Sequence, residues 1–365
     1  MCAMMAQFET DVLVVGLGPA GATAAAAAAA GGARVVAIDR KRQAGLPVQC
    51  AEFVPSLLWT MLDASKMAPI ACSVGQDILS MATFIEHTEP HIKEHFPGQM
   101  LDRAAFDAAL VRCAQARGAV CNFQVGLCAL DKQGGATLSN GDTIRARVII
   151  GADGPRSRVG RAIGQVNRDL AETRQVTVPL RSACKSTDIF LSAEIPGGYA
   201  WLFPKGEEAN LGLGMAPAWR QLLKPYLNDL HRRLVDQGRV SATASRHTGG
   251  AIPVGGMLHP SGNLGSVAVL LAGDAAGLAN PITGAGISAA IISGRLAGET
   301  AADVVGGAEQ AGLHYVEELE DLFKTSLALA LARRQELMRV YASGGRPCRA
   351  ELQRSWIAFP QYWAA

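Results

Sequence analysis

Apolar residues follow two different rhythms along this chain. Near the N-terminus a β-branched run, Asp11–Val15, leads through a glycine-rich turn into an alanine-rich stretch and then a second run, Arg34–Ile38. That order predicts strand, helix, strand. Two later runs, "TIRARVII" and "SVAVLLA", have the same continuous apolar character and predict further buried strands. The second feeds a Gly/Pro-rich loop and a helix expected from about Gly286.

The intervening regions read differently. Residues 75–98 suggest two short strands with polar breaks, and 174–254 contain "RQVTVPLRS", "DIFLSAEIPGGYAWLFP" and "ANLGLGM", which alternate with strand period. "WRQLLKPYLNDLHRRLVDQG" predicts a helix, with Arg232 and Arg233 solvated. In 309–343, Tyr315, Leu319, Leu322 and Leu329 recur at helical spacing, as expected of a helix closing the second domain. A face docking on a membrane surface is the less favoured reading of that stretch, so at most peripheral membrane contact is expected.

The turn after the first strand is Gly16-Leu-Gly18-Pro19-Ala20-Gly21, and an acid, Asp39, closes the second strand with Arg40 behind it. A lone G-x-G-x-x-G is weak, but between strand and helix with an acid at this distance it is a dinucleotide fingerprint. Gly16 permits the tight turn, Gly18 lets a pyrophosphate approach the backbone, and Gly21 allows close helix–strand packing. The helix N-terminus supplies partial positive charge, and Asp39 is expected on the adenosine ribose. Asp153 and Asp274 each stand just past a strand's C-terminal end, where α/β sheets bind ligands. Taken singly, Asp153 also reads as a turn residue and Asp274 as a helix cap.

In this order the segments resemble the FAD-binding pattern of the p-hydroxybenzoate hydroxylase and geranylgeranyl reductase superfamily. The resemblance implies Asp274, after Gly273, on the ribityl chain, and the backbone of Pro281, Gly284, Ala285, Gly286 and Ile287 near the isoalloxazine. It also implies that "LDRAAFDAALVRCAQARGA" is a helix whose Arg103 reaches the FAD, with Phe106 and Leu110 in the core. The fold class expected is α/β: a three-layer, Rossmann-like FAD-binding domain (8–74, 99–165 and 262–305). An antiparallel β-sheet substrate domain (75–98 and 166–261) is inserted in it, and a C-terminal helical segment (306–365) follows. No second fingerprint is present in the sequence, so NAD(P)H or a ferredoxin-type protein is expected as an external, transient reductant.

Aromatic residues are scarce, at 10 Phe, 5 Trp and 5 Tyr in 365 residues, yet Tyr199, Trp201 and Phe203 stand together. At strand period they share one face, roughly 6.5 Å apart. Pro204 is expected to end the strand and Lys205–Glu208 to turn it, which sets Trp201 opposite Gly212 and Tyr199 opposite Gly214. The spacing Tyr199-x-Trp201-x-Phe203-Pro204…Gly212-x-Gly214 is similar to the Y-x-W-x-F-P…G-x-G motif of geranylgeranyl reductases. It implies a ring-lined pocket in which reduced flavin saturates isoprenoid double bonds. Plain core packing is the alternative for the three rings. Several reductases of the family it resembles have a cysteine-glycine segment near the flavin where this chain has Cys50-Ala51; the resemblance makes Cys50 a redox or proton-donor candidate against inert packing. Glu52 is a weaker acid/base candidate.

Composition narrows the classes. A chain 49% hydrophobic and 18% charged is globular, and a net charge of +2 argues against nucleic acid. Eight cysteines without C-x-x-C or a metal spacing fit a reducing, cytoplasmic setting and no metal site. No signal peptide or membrane span is expected. The favoured function is FAD-dependent reduction of a hydrophobic, isoprenoid-like substrate. The alternatives are a flavin monooxygenase acting on an aromatic compound or an aromatic residue of a partner protein, and an electron-transfer flavoprotein serving a quinone.

Overall fold

The structure, a computed structural model, describes residues 7–56, 73–86, 88–308 and 310–364. Part of the expected 8–74 segment therefore lies outside the described residues.

The continuous apolar runs become a sheet in the order Ser261–Leu264, Val267–Leu271, Thr143–Gly151, Gln7–Val15, Val35–Asp39, Val120–Phe123. Its inner strands are parallel, with Val15 beside both Gly151 and Ile38. Val12, Leu13 and Val14 are fully buried, which is why these strands show no alternation. The alanine helix Pro19–Ala30 packs against the helix Ile287–Gly306 at a distance only small residues allow. A Cβ on Gly294 or Gly298 would lie 2.2 or 2.3 Å from the Ala20 or Ala24 carbonyl oxygen. The alanine run is thus a contact surface rather than low complexity. Arg103–Ala116 forms the expected helix, capped by the Asp102 carboxylate on the Ala105 amide, and buries Phe106 and Leu110.

A second sheet runs Ser245–Thr248, Leu170–Pro179, Glu208–Met215, Ala200–Lys205, Ser186–Leu191, Ser80–Ile85, His91–Lys93. It is antiparallel except where Ser186–Leu191 pairs parallel with Ser80–Ile85. Those two strands come from distant parts of the chain, so no hairpin dictates their relative direction. The expectation of two strands in 75–98 was too simple. Val74–Ile78 turns away at exposed Leu79 into a small sheet with Phe53–Pro55 and Gly98–Leu101.

Alternation on the second sheet separates two cores. Val176, Leu202, Leu211 and Leu213 face the helix Leu223–Asp236. Ile189, Trp201 and Phe203 point the other way, toward Leu337, Leu352, Trp356 and Phe359 of the C-terminal segment. Of the two arginines expected in solvent, Arg232 is, whereas Arg233 is partly covered over the Tyr226 ring.

The C-terminal helices correct one expectation. Between Ala311–Leu319 and Thr325–Ala342 the chain makes a π-turn, Glu320–Lys324, which shifts the buried face. Tyr315 and Leu319 are buried as expected, but Leu322 is exposed and Leu329 half-buried, and the face continues through Leu327, Ala330 and Leu337. Among the described residues no helix is long and apolar enough to cross a membrane.

Candidate flavin and substrate site

One cavity of about 1010 Å³ connects the C-terminal ends of the parallel strands with the ring-bearing face of the second sheet. Gly16, Gly18, Pro19, Ala20, Asp39, Arg40, Arg103, Asp153 and Asp274 line one part of it. Pro281, Gly284, Ala285, Gly286 and Ile287 lie between, and Cys50, Tyr199, Trp201 and Phe203 follow. Gly21 and Gly273 are not on its surface. Gly21 sits behind, where a Cβ would be 1.8 Å from the Gly16 oxygen. Gly273, at φ +60°, gives its amide to Ser293 Oγ.

The three fingerprint glycines differ as their chemistry requires. At Gly16, φ +97°, a side chain would strike the Ala152 oxygen at 2.3 Å, whereas at Gly18 nothing lies within 4 Å of a built Cβ. Gly18 is the N-cap of the alanine helix and no side chain caps it. An open approach to an uncapped helix N-terminus fits a pyrophosphate.

The three carboxylates expected at the strand ends divide. Asp39 accepts the Leu17 and Lys41 amides, both at 2.8 Å, and still lines the cavity. Asp153 takes the Ser157 hydroxyl and the Arg158 amide, bracing the Ser157 cap of the short helix Arg158–Ala162; burial raises its pKa and Ser157 opposes that. The turn-residue alternative describes its hydrogen bonding. Asp274 receives no hydrogen bond on its carboxylate among the described residues, and burial pushes its pKa up to about 6, against the charge of Arg103. Unsatisfied acceptors facing the cavity fit the hydroxyls of a ribityl chain. Arg103 pairs with Asp107 at 3.0 Å. Burial works against its charge, but Asp107 and then Cys50 outweigh burial and raise its pKa.

Asp274 makes a pH prediction for the apoprotein. Its carboxyl titrates near 6 when folded but at ~3.9 when unfolded, so the folded chain holds the extra proton between those values. The stabilising contribution is complete below pH ~4 and is lost as pH rises through about 6. The unfolding free energy of wild type minus Asp274→Asn is therefore expected to fall by up to about 3 kcal/mol from pH 4 to 7. A pH-independent difference in chemical denaturation would contradict the placement.

The aromatic strand has the expected register. Trp201 pairs with Gly212, and the Gly214 amide donates to the Tyr199 carbonyl at 3.0 Å. A Cβ on Gly212 would lie 2.5 Å from Trp201 Cζ2, so that glycine is required by the indole. The Tyr199 ring, by contrast, leans away from Gly214 toward Trp201 and Trp356, with centroids 5.7 and 4.7 Å away. Pro204 does not end the strand: pairing continues through Lys205 opposite Glu208 before Gly206, at φ +66°, turns the chain. The Tyr199 hydroxyl donates to the Thr283 carbonyl at 2.6 Å, and burial raises its pKa.

Gln175, which sequence reading missed, completes the site with Glu52 and the C-terminal tail. Trp201 Nε1 donates to Gln175 Oε1, and Gln175 Nε2 donates to the Cys50 carbonyl, both at 3.1 Å. The signal for Gln175 was a polar residue on the buried phase of an alternating strand. Glu52, backbone φ +72°, donates its amide to Cys50 Sγ at 3.2 Å. Its carboxylate is taken up by Lys205 Nζ, Asn210 Nδ2 and the Arg103 amide at 2.9–3.0 Å, the contacts of a scaffold residue. Trp356 and Ile357 reach the cavity from the C-terminal segment, itself tied down by Arg333 on the Tyr362 and Ala364 carbonyls. The aromatic tail, which the sequence suggested only as a pocket cover, thus lines the cavity with Trp356 and Ile357.

Comparison with known proteins agrees with this geometry. Residues 9–188 match the FAD binding domain family and 172–250 the geranylgeranyl reductase catalytic domain family. The digeranylgeranylglycerophospholipid reductase of Methanocella arvoryzae is 34% identical over 324 residues, covering 81% of this chain and 78% of that one. Digeranylgeranylglycerophospholipid reductase 1 of Methanopyrus kandleri is 35% identical over 323 residues, covering 81% of each. A crystal structure of a geranylgeranyl bacteriochlorophyll reductase-like protein from Thermoplasma acidophilum superimposes with a TM-score of 0.80 at 27% identity, over 91% of this chain and 88% of that one. Fold and cavity together define an FAD-dependent oxidoreductase. Within that class, the chain belongs to the geranylgeranyl reductase-like family.

Proposed function

We propose that this enzyme saturates carbon–carbon double bonds in a long, isoprenoid-like substrate, drawing electrons from NAD(P)H or a ferredoxin-type protein. The observation that carries this reading is the continuity of the cavity from the 280–287 loop to a wall of rings and aliphatic side chains. Bound FAD supplies hydride. The chain's own residues bind, orient and exclude water. Tyr199, tethered to Thr283, joins the ring wall to the flavin loop. Trp201 is held flat over Gly212 and, through Gln175, fixes the Cys50 backbone. Cys50, on the cavity surface, is the proposed source of the proton for the second carbon.

A hydrophobic small molecule is favoured over a residue of a partner protein, because the matching relatives carry the name of a lipid reductase. The cytoplasm is the proposed compartment, since the cysteines at 50, 113, 121, 128, 184 and 348 are all free thiols.

The test is anaerobic. Reduced holoprotein mixed with a geranylgeranyl lipid is expected to reoxidise without O₂, while the lipid gains two hydrogens per double bond by mass spectrometry. Cys50→Ser should keep its FAD and slow that step by about 100-fold. Reoxidation that needs O₂ and yields a hydroxylated product would instead assign monooxygenase chemistry.

A further inference from the structure

Arg334, within the helix Thr325–Ala342, enters the cavity wall with 9% of its surface exposed. Its Nη1 donates to the Gly197 carbonyl at 2.6 Å and, at 3.4 Å, to the Pro281 carbonyl. Gly197 leads into the aromatic strand, and Pro281 opens the loop expected against the isoalloxazine. A glycine is needed there: at φ +69°, a Cβ on residue 197 would lie 3.2 Å from Nη2 and 2.8 Å from Met338 Sδ.

No carboxylate among the described residues forms an ion pair with this guanidinium. Asp169, exposed, acts on it only from a distance. Burial lowers its pKa to about 10, with Asp169 opposing, so it stays charged at neutral pH. Its neighbour Arg333 shows the contrast, being paired with Glu336 at 2.9 Å. Nε and Nη2 of Arg334 have no acceptor among the described residues, yet neither is sealed inside the protein. A buried cation held by neutral carbonyls alone is costly, and the cost is offset when an anion enters beside it.

We propose that Arg334 is the electrostatic partner of the reduced flavin, compensating the negative charge the ring system acquires when it takes up two electrons and one proton. An anionic group of the substrate is the competing occupant. The flavin is favoured because Arg334 is bonded to the backbone of the flavin loop itself and to the residue that starts the ring wall beside it. The inference rests on the placement of the isoalloxazine at the 280–287 loop. Asp274→Asn tests that placement separately through FAD affinity, so the map and the inference fail by different results.

Spectroelectrochemical titration of the holoenzyme decides it. In wild type the midpoint potential is expected to fall by about 30 mV per pH unit, the slope for two electrons and one proton. A slope of about 59 mV, meaning a second proton and a neutral reduced flavin, would overturn the proposal without any variant. Arg334→Gln, checked for full flavin absorbance, should lose at least tenfold of its preference for reduced over oxidised FAD, a downward shift of about 30 mV or more. Arg334→Lys should retain most of that preference. An unchanged potential in flavin-replete Arg334→Gln, with weakened binding of a phosphate-bearing isoprenoid, would give the charge to the substrate and overturn the assignment.

Discussion

Gly18→Val is expected to fold normally and lose its flavin, whereas Gly21→Val should not fold. The two glycines are three residues apart in the same turn and do opposite work. A Cβ at Gly18 meets no heavy atom within 4 Å, and its φ of −74° suits any residue. Valine there projects into the space where the pyrophosphate approaches, so FAD affinity should drop by about 100-fold or more, equivalent to about 3 kcal/mol. Thermal unfolding of the apoprotein should stay close to wild type. At Gly21 the added atom would sit 1.8 Å from the Gly16 oxygen and 3.1 Å from Ala152 Cβ, so the helix would be levered off the sheet. That strain should cost about 3 kcal/mol or more and show as insoluble or non-cooperative protein. Full flavin occupancy in purified Gly18→Val would refute this map of the nucleotide end.

Glu52→Ala is the second large effect, and it separates scaffolding from catalysis. The Glu52 carboxylate is the common acceptor for Lys205 Nζ, Asn210 Nδ2 and the amide of Arg103, the first residue of the helix that carries the Arg103 guanidinium. Removing it strands a mostly buried amide, a helix-start N–H and a lysine that is 24% exposed. The expected loss is about 2–4 kcal/mol, moderated by the lysine's partial access to water. Because the Glu52 amide also contacts Cys50 Sγ, the loop around the thiol should loosen with it. Glu52→Gln preserves size and two polar atoms and should recover much of the stability and turnover within about tenfold of wild type. If Glu52 were a general acid instead, the glutamine variant would fold and lose about 10²–10⁴ in turnover. Comparing kcat and Tm of the two variants distinguishes these outcomes.

Much of the nucleotide end was legible because its signals are local. A turn of the Gly16–Gly21 kind depends on backbone freedom within six residues, so composition alone specifies it. The Trp201–Gly212 pairing was legible for a related reason: a short hairpin fixes its own register, and an indole on one strand demands an empty position on the other. The fate of the acids was not. Asp153 and Asp274 follow strands in the same way, yet one is consumed by the Ser157 hydroxyl and Arg158 amide while the other is left open.

The sequence by itself determined the strand–turn–helix that receives FAD, the strand register of the ring-bearing hairpin and the family, since each rests on neighbours within a few residues or on a short motif. Tertiary structure alone decided what closes the cavity and how it is charged. Gln175 joins Trp201 to Cys50 from another strand, Trp356 arrives from the C-terminal segment, and Arg334 is turned inward on a helix that follows a π-turn. Those contacts span 26 to 157 residues of chain, and no local periodicity carries information across such distances.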